Sequence, residues 1–304
     1  MPAPPTAAEI RDVNARYHDA AADDYDAKWG IDFGVLGQDQ VLTKLRKALG
    51  REPEAFGRAL EIGAGTGYFT LNLMQAGVVR SAVCMDISPG MLETLQRNAA
   101  ELGLPVASVA GDAEVLPLAD ESFDLVFGHA VLHHIPDLER AFDEFHRVLK
   151  PGGWIVFAGE PSRYGDRLAG VPKRGAVALA PLWRAALGAA PFAGHTERNG
   201  DGDHGLEALV YVHAFDPAQL RRLAAAAGLE DIRVTGEELL ASWFGWANRT
   251  LEATAAPEDV PWLWRQYAHR GYLLLQGVDR SLLEGRLPPQ LFYNLMLAAA
   301  KPEP

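Results

Sequence analysis

The chain holds a single cysteine, Cys84, among 304 residues. One thiol closes no internal disulfide and builds no thiolate cluster, so a disulfide framework and a Cys-based zinc site are both excluded. Cys84 falls in an apolar run and reads as a buried structural thiol. Long apolar runs are missing as well. No stretch of about 18 apolar residues occurs, so no membrane span is expected. The opening Met1-Pro2-Ala3-Pro4-Pro5 lacks a basic segment followed by an apolar one and does not read as a signal peptide. A cytoplasmic location is therefore the expectation. Positive charge is scarce: 28 Lys and Arg against 40 Asp and Glu leave a net charge of −12. That excludes the broad basic stripe of a nucleic-acid binder. The glycines that follow the first apolar strand, Gly63, Gly65 and Gly67, are spaced G-x-G-x-G and not as the G-x-G-x-x-G dinucleotide fingerprint, and the Gly-Lys-Ser/Thr of a P-loop is absent. His195, Asp201, Asp203 and His204 sit in a glycine-rich stretch without ligand spacing such as H-E-x-x-H, so they read as a polar loop and no metal site is expected.

What is present is ample apolar material, 48% of residues against 22% charged, enough for a large core. Its focus is Ala59-Leu60-Glu61-Ile62-Gly63-Ala64-Gly65-Thr66-Gly67-Tyr68. This reads as a strand, a glycine turn and the start of a helix. Glycines admit positive φ and close approach of a ligand to the backbone, and the helix start adds unpaired N–H donors. Glu61 at the strand end would repel a phosphate but suits an ammonium group.

Helical patterns precede this stretch, from Ala7 to Lys28 and from Gln38 to Leu49. After it, strands and helices alternate. Strands are expected at Ser81 to Met85, Val106 to Ala110, Phe123 to Phe127 and Trp154 to Ala158, with helices from Pro89 to Leu102 and Leu138 to Leu149. Such alternation predicts a doubly wound, mostly parallel α/β sheet, with ligands at the carboxyl ends of its strands. Glu61, Asp86, Asp112, His129 and Glu160 fall at or just past those ends. Regularity then stops over residues 161 to 213. A helix opening at Asp216-Pro217, a strand from Leu229 to Val234, a helical insert over 237–287 and an apolar closing strand from Phe292 to Ala299 complete the chain. Asp86 can bind the two hydroxyls of a ribose. Asp112 can accept from an adenine amino group while the N–H of Ala113 donates to the ring.

Taken together, Leu60 to Gly67, Asp86-Ile87-Ser88-Pro89-Gly90-Met91-Leu92, Gly111-Asp112-Ala113-Glu114-Val115-Leu116-Pro117, Phe123-Asp124-Leu125-Val126, Val131-Leu132-His133-His134-Ile135 and Arg147 to Gly153 follow one another in a set order and spacing. In that set the chain resembles the class I S-adenosylmethionine-dependent methyltransferases, of the type related to quinone-biosynthesis methyltransferases. The likeness covers roughly residues 55 to 160. It implies a Rossmann-like sheet of seven strands, one methyltransferase domain over 1–304, N-terminal helices over 7–50, a cofactor-binding core over 55–160 and a helical substrate cap over 237–287.

The resemblance implies S-adenosyl-L-methionine as cofactor and S-adenosyl-L-homocysteine as product. It puts Gly63, Ala64, Gly65 and Gly67 under the methionyl group, Asp86 on the ribose, Ile87 against the adenine, and Asp112 with Ala113 as the adenine-binding pair. The backbone at Gly128 and His129 would line the methionyl amine. Tyr25, or Tyr17, would close the site from the N-terminal helix. His133 is the first candidate for a general base and His129 the next; a histidine that merely orients its loop is the alternative. The aromatic residues between Trp243 and Tyr272 favour a small, apolar or aromatic acceptor, with oxygen the preferred acceptor atom and carbon second. A nicotinamide-dependent oxidoreductase and a non-catalytic cofactor-binding partner protein are the rival readings.

Overall fold

The computed structural model describes residues 6–22, 25–26, 30–192 and 213–303. Lys28 and the polar stretch holding His195, Asp201, Asp203 and His204 lie outside the described residues. Short apolar runs bounded by glycine or acid become the strands of a single sheet. β1 (Phe56–Ile62), β2 (Val79–Asp86), β3 (Ala107–Ala110), β4 (Phe123–His129) and β5 (Leu149–Pro161) pair in parallel. With β6 (Glu230–Glu237) and β7 (Asn294–Ala300) the sheet has seven strands in the order β3-β2-β1-β4-β5-β7-β6. The sequence reading of a mostly parallel, doubly wound sheet therefore holds.

Strand order reverses where β1 lies between β2 and β4, and ligands of such sheets bind at that reversal. The register places the relevant ends side by side. Ile62 pairs with Met85, Asp86 with Ala110 and His129 with Ala158. The loops that follow these strands therefore open on one edge.

Local rules set the helices. α1 (Ala7–Ala21) starts on a capping box in which Thr6 and Glu9 satisfy each other's backbone N–H. It ends at Ala21; Tyr25 and Asp26 are helical again, and Lys28, to which the sequence extended the helix, is not among the described residues. α2 (Val35–Leu49) packs Val41, Leu45, Ala48 and Leu49 into a core shared with Ala59, Leu73, Leu125 and Val156. α3 (Tyr68–Gln75) follows the glycine turn. α4 (Pro89–Leu102) is capped by Ser88, with Pro89 in its first turn. α5 (Leu138–Val148) is capped by Asp137 and buries Leu138, Ala141, Phe142, Phe145 and Val148 along one stripe.

One element was not legible in the sequence. Where regularity was expected to stop, α6 (Arg163–Leu187) runs for 25 residues with Pro172 and Pro181 inside it. Its buried positions are the small residues Gly165, Ala169, Ala176 and Ala180. A Cβ at Gly165 would stand 1.9 Å from the carbonyl oxygen of Phe292, so only glycine fits that approach. Then come α7 (Pro217–Ala226), α8 (Leu240–Glu252) and α9 (Trp262–Val278). The start of α8 is held by Asp279, whose buried carboxylate accepts the N–H groups of Leu239, Leu240 and Ala241.

The chain divides into two compact units. One comprises Met1–Glu160, Gly202–Val234 and Met296–Pro304; the other comprises Pro161–Asp201 and Thr235–Leu295. Among the described residues no helix is long and apolar enough to cross a membrane, and no group of three potential metal ligands forms.

Candidate active site

The site is built where β1 ends. Gly63, Gly65 and Gly67 all take positive φ, at 65°, 52° and 92°. They do so for different reasons. A Cβ at Gly63 would meet the Val131 side chain at 2.5 Å, and one at Gly67 would meet Leu71 at 2.9 Å. At Gly65 a Cβ would find nothing within 4 Å, because the backbone there faces open space. That space is a cavity whose floor includes Ile62, Gly63 and Gly65.

The next two strand ends complete the floor. Asp86, the last residue of β2, is buried and accepts the N–H of Gly65 at 2.8 Å and of Ser88 at 2.9 Å. Burial raises its pKa, against the opposing pull of the Ser88 N–H and of His18. Asp112 follows β3, and its carboxylate accepts the Glu114 N–H at 3.0 Å. Asp86, Ile87, Asp112 and Ala113 all line the cavity.

A second wall comes from α1. Arg11, Asn14 and His18 line the cavity at positions i, i+3 and i+7, one face of a helix, and Tyr25 joins them. Arg11 stands 2.6 Å from Asp112 through Nε and also pairs with the buried Glu114. Asn14 donates to the carbonyl of His134 at 3.2 Å, while its buried Oδ1 has no hydrogen-bond partner among the described residues. Asp19 ties the end of α1 to α4 by accepting from Ser88 Oγ at 2.5 Å and from Gly90 N at 2.9 Å. Burial, reinforced by the nearby charge of Asp86, pushes the Tyr25 phenol up to about 12. It therefore keeps its proton at neutral pH and can donate.

The third wall follows β4. His129 lines the cavity and stacks on Phe69 with ring centroids 4.6 Å apart. Its ring lies where a Cβ on Gly159 would come within 2.6 Å of Nε2, so a glycine on β5 makes room for it. Ala130, Val131 and His134 also reach the cavity; His133 does not. His133 is turned instead toward Glu160, with Nδ1 2.8 Å from Oε2. The fully buried Glu160 carboxylate also accepts the N–H groups of Val131, Leu132 and His133 at 3.0, 3.0 and 3.1 Å. One carboxylate thus fixes the whole Val131–His133 turn.

The structure brings together Tyr25, Gly63, Gly65, Asp86, Ile87, Asp112, Ala113 and His129 of the residues singled out in the sequence. It leaves Glu61, Ala64, Gly67, Gly128 and His133 off the cavity wall. Gly67 starts α3, Ala64 donates to the Met85 carbonyl, and Gly128 packs where a Cβ would lie 2.7 Å from the Ile62 carbonyl oxygen. Glu61 corrects the expectation of an ammonium partner. Its carboxyl turns to Thr70, accepting from both the N–H and the hydroxyl, and burial pushes it up to about 8. Thr70 thus takes the carboxyl that the sequence suggested for an ammonium group. Tyr17 packs on His18 and does not reach the cavity. Arg11, Asn14 and His18 were missed. Their shared helical face was readable, but a polar face on a helix ordinarily meets water.

The donor set suits a nucleoside with a charged tail. It offers carboxylates at the ends of β2 and β3, a bare glycine backbone after the adjoining β1, and an amide oxygen of α1 without a partner among the described residues. Comparison with known proteins gives the same picture. Residues 60–157 match the methyltransferase domain family. The chain is 38% identical to a malonyl-acyl-carrier protein O-methyltransferase of Methylococcus capsulatus over 45% of this chain and 53% of that protein. The match thus spans about half the length of that relative. The enzyme of the same name from Geobacter sulfurreducens is 31% identical over 75% of this chain and 73% of that protein. Among solved structures, phosphoethanolamine N-methyltransferase 2 of Haemonchus contortus, determined with S-adenosylhomocysteine, shares the fold. Its TM-score is 0.58 at 17% identity, with 100% of this chain and 62% of that chain covered. The chain belongs to the class I S-adenosylmethionine-dependent methyltransferases.

Proposed function

We propose that the protein transfers a methyl group from S-adenosylmethionine to an oxygen atom of a small, largely apolar molecule. The observation that carries the reading is the convergence of Gly65, Asp86 and Asp112, from three successive strand ends, on one cavity. When bound, the cofactor supplies a methyl already activated on a sulfonium sulfur. The chain's residues have to hold the donor, orient the acceptor and exclude water; such positioning is worth about 7–11 kcal/mol of barrier.

In this reading Asp86 accepts from the ribose hydroxyls and Asp112 from the adenine amino group, with Ile87 and Ala113 against the ring. Gly63 and Gly65 floor the methionyl end, and Asn14 Oδ1 supplies an acceptor for a donor on the cofactor. His129 is the candidate base of the three imidazoles on the cavity wall, the others being His18 and His134. His133 acts through Glu160 as a positioning residue. A carboxylate acceptor, ionised above a pKa of about 4, needs no base; a phenol, with a pKa of about 10, does. The relatives named malonyl-acyl-carrier protein O-methyltransferases favour oxygen as acceptor atom and support a second reading, an acceptor carried on a protein.

Titration calorimetry with S-adenosylhomocysteine tests the cofactor half. Asp86→Asn is expected to weaken binding on the order of a hundredfold, since two charge-assisted hydrogen bonds are lost. Unchanged affinity in that variant refutes the assignment. Turnover assays with free carboxylic acids, phenols and malonyl-acyl-carrier protein then separate the two acceptor readings. Methylation of the carrier-bound substrate alone rejects the free small molecule.

A further inference from the structure

Helices α6 and α9 carry features that methyl transfer leaves unused. Both belong to the unit formed by Pro161–Asp201 and Thr235–Leu295. α9 buries none of its 17 residues. Leu263 is 74% exposed and Leu274 70%, and Trp262 and Tyr267 are exposed beside them. On α6, Leu182 is 71% exposed, with Val171, Val177 and Leu179 also in solvent. Scattered exposed leucines need no explanation, but a contiguous set does. The Trp183 and Trp264 rings meet edge-on at 5.2 Å. On α6 Val171, Arg174 and Leu182, and on α9 Leu263, Tyr267, Arg270 and Leu274, are spaced so as to share one helical face, so each helix presents an exposed stripe in which apolar side chains alternate with arginine.

The charge on the two helices is biased as strongly. α6 carries Arg163, Arg167, Lys173, Arg174 and Arg184 against the single acid Asp166. α9 carries Arg265 and Arg270 and no acid at all. This stands in a chain of net charge −12. A second copy docking symmetrically would set one basic face against its like. Exposed leucine and tryptophan interleaved with arginine instead match the boundary of an anionic bilayer. There the apolar side chains enter the headgroup layer while the guanidinium groups meet lipid charge.

We propose that α6 and α9 form a peripheral docking surface for a membrane rich in anionic headgroups. The helices lie on such a surface and do not cross it. The inference is independent of the methyl-transfer reading, because none of these residues lines the cavity.

Flotation of the full chain with phosphatidylglycerol–phosphatidylcholine vesicles tests it, with pure phosphatidylcholine vesicles alongside. The wild type is expected to float with the anionic vesicles, to be released by high salt, and to stay behind with the neutral ones. Arg167→Glu with Arg174→Glu should weaken partition by about tenfold or more. Leu182→Glu with Leu274→Glu should abolish it. Both double variants should keep the wild-type affinity for S-adenosylhomocysteine and the wild-type unfolding midpoint, which assigns the loss to the surface and not to the fold. No flotation of the wild type, or equal flotation of the leucine double variant, overturns the proposal. So does a dimer in sedimentation that the leucine substitutions dissociate without any vesicle binding, since that gives the face to a second copy.

Discussion

α5 and α9 dispose their apolar residues in opposite ways. In the 11 residues of α5, Leu138, Ala141, Phe142, Phe145 and Val148 follow one stripe, and all are buried. In the 17 residues of α9 apolar side chains surround the axis, and none is buried. A stripe gives a helix one face to hide and one to show. An all-round apolar helix has no such division. Its stability comes from neighbours such as the Trp183–Trp264 and Phe244–Tyr267 ring pairs. Stability and exposure are thus separated in this molecule, with a buried core around β1 to β5 in one unit and an apolar helix surface in the other.

That contrast can be broken in three ways. The largest effect is expected at Phe145, fully buried and packed on Phe142 and Phe157. Phe145→Ala should cost about 3–5 kcal/mol in denaturant unfolding. A much smaller cost would mean that the core around α5 relaxes as a surface does.

Next comes the pH dependence set by Glu61. Its folded-state pKa, about 8, lies above the ordinary carboxylate value of 4.5, with burial as the main cause. Through that window the folded chain keeps a proton that the unfolded chain releases, so stability falls as pH rises from about 5 to about 8. Glu61→Gln should flatten this fall in denaturation midpoints taken across the range. An identical slope in the variant would place the titrating group elsewhere.

The smallest effect is expected at Leu274, where Leu274→Ser should change stability by no more than about 0.5 kcal/mol. A loss comparable to that of Phe145→Ala would show that α9 is covered in solution, and the contrast would vanish.

The same difference explains what the sequence revealed. Strands β1, β2, β4 and β5 and helices α4 and α5 were legible because each has an apolar pattern with a local stop beside it, such as Ser88-Pro89 or Asp137. Helix α6 was not. Its buried face is Gly165, Ala169, Ala176 and Ala180, which no hydrophobic pattern marks, and Pro172 and Pro181 read as breaks. In the candidate site, the strand-end residues Asp86 and Asp112 were legible because strand ends converge by topology alone. Side-chain direction was not. Glu61 and His133 sit next to the cavity in sequence but turn to Thr70 and Glu160. Asn14 and Arg11 join only when α1 docks, a long-range event with no local signature.

Ala130 shows what the Glu160 carboxylate holds in place. It has φ of +54°, a left-handed conformation that costs an alanine about 1–2 kcal/mol relative to the ordinary helical region. Its N–H still reaches the Ala158 carbonyl at 2.8 Å, and the next three N–H groups all end on Glu160. The turn resembles a loaded catch, with the bent backbone beside His129 held on one side by the Ala158 carbonyl and on the other by the Glu160 carboxylate. Glycine at position 130 would take the same φ without that cost, while the imidazole at 129 would still be held by its stack on Phe69.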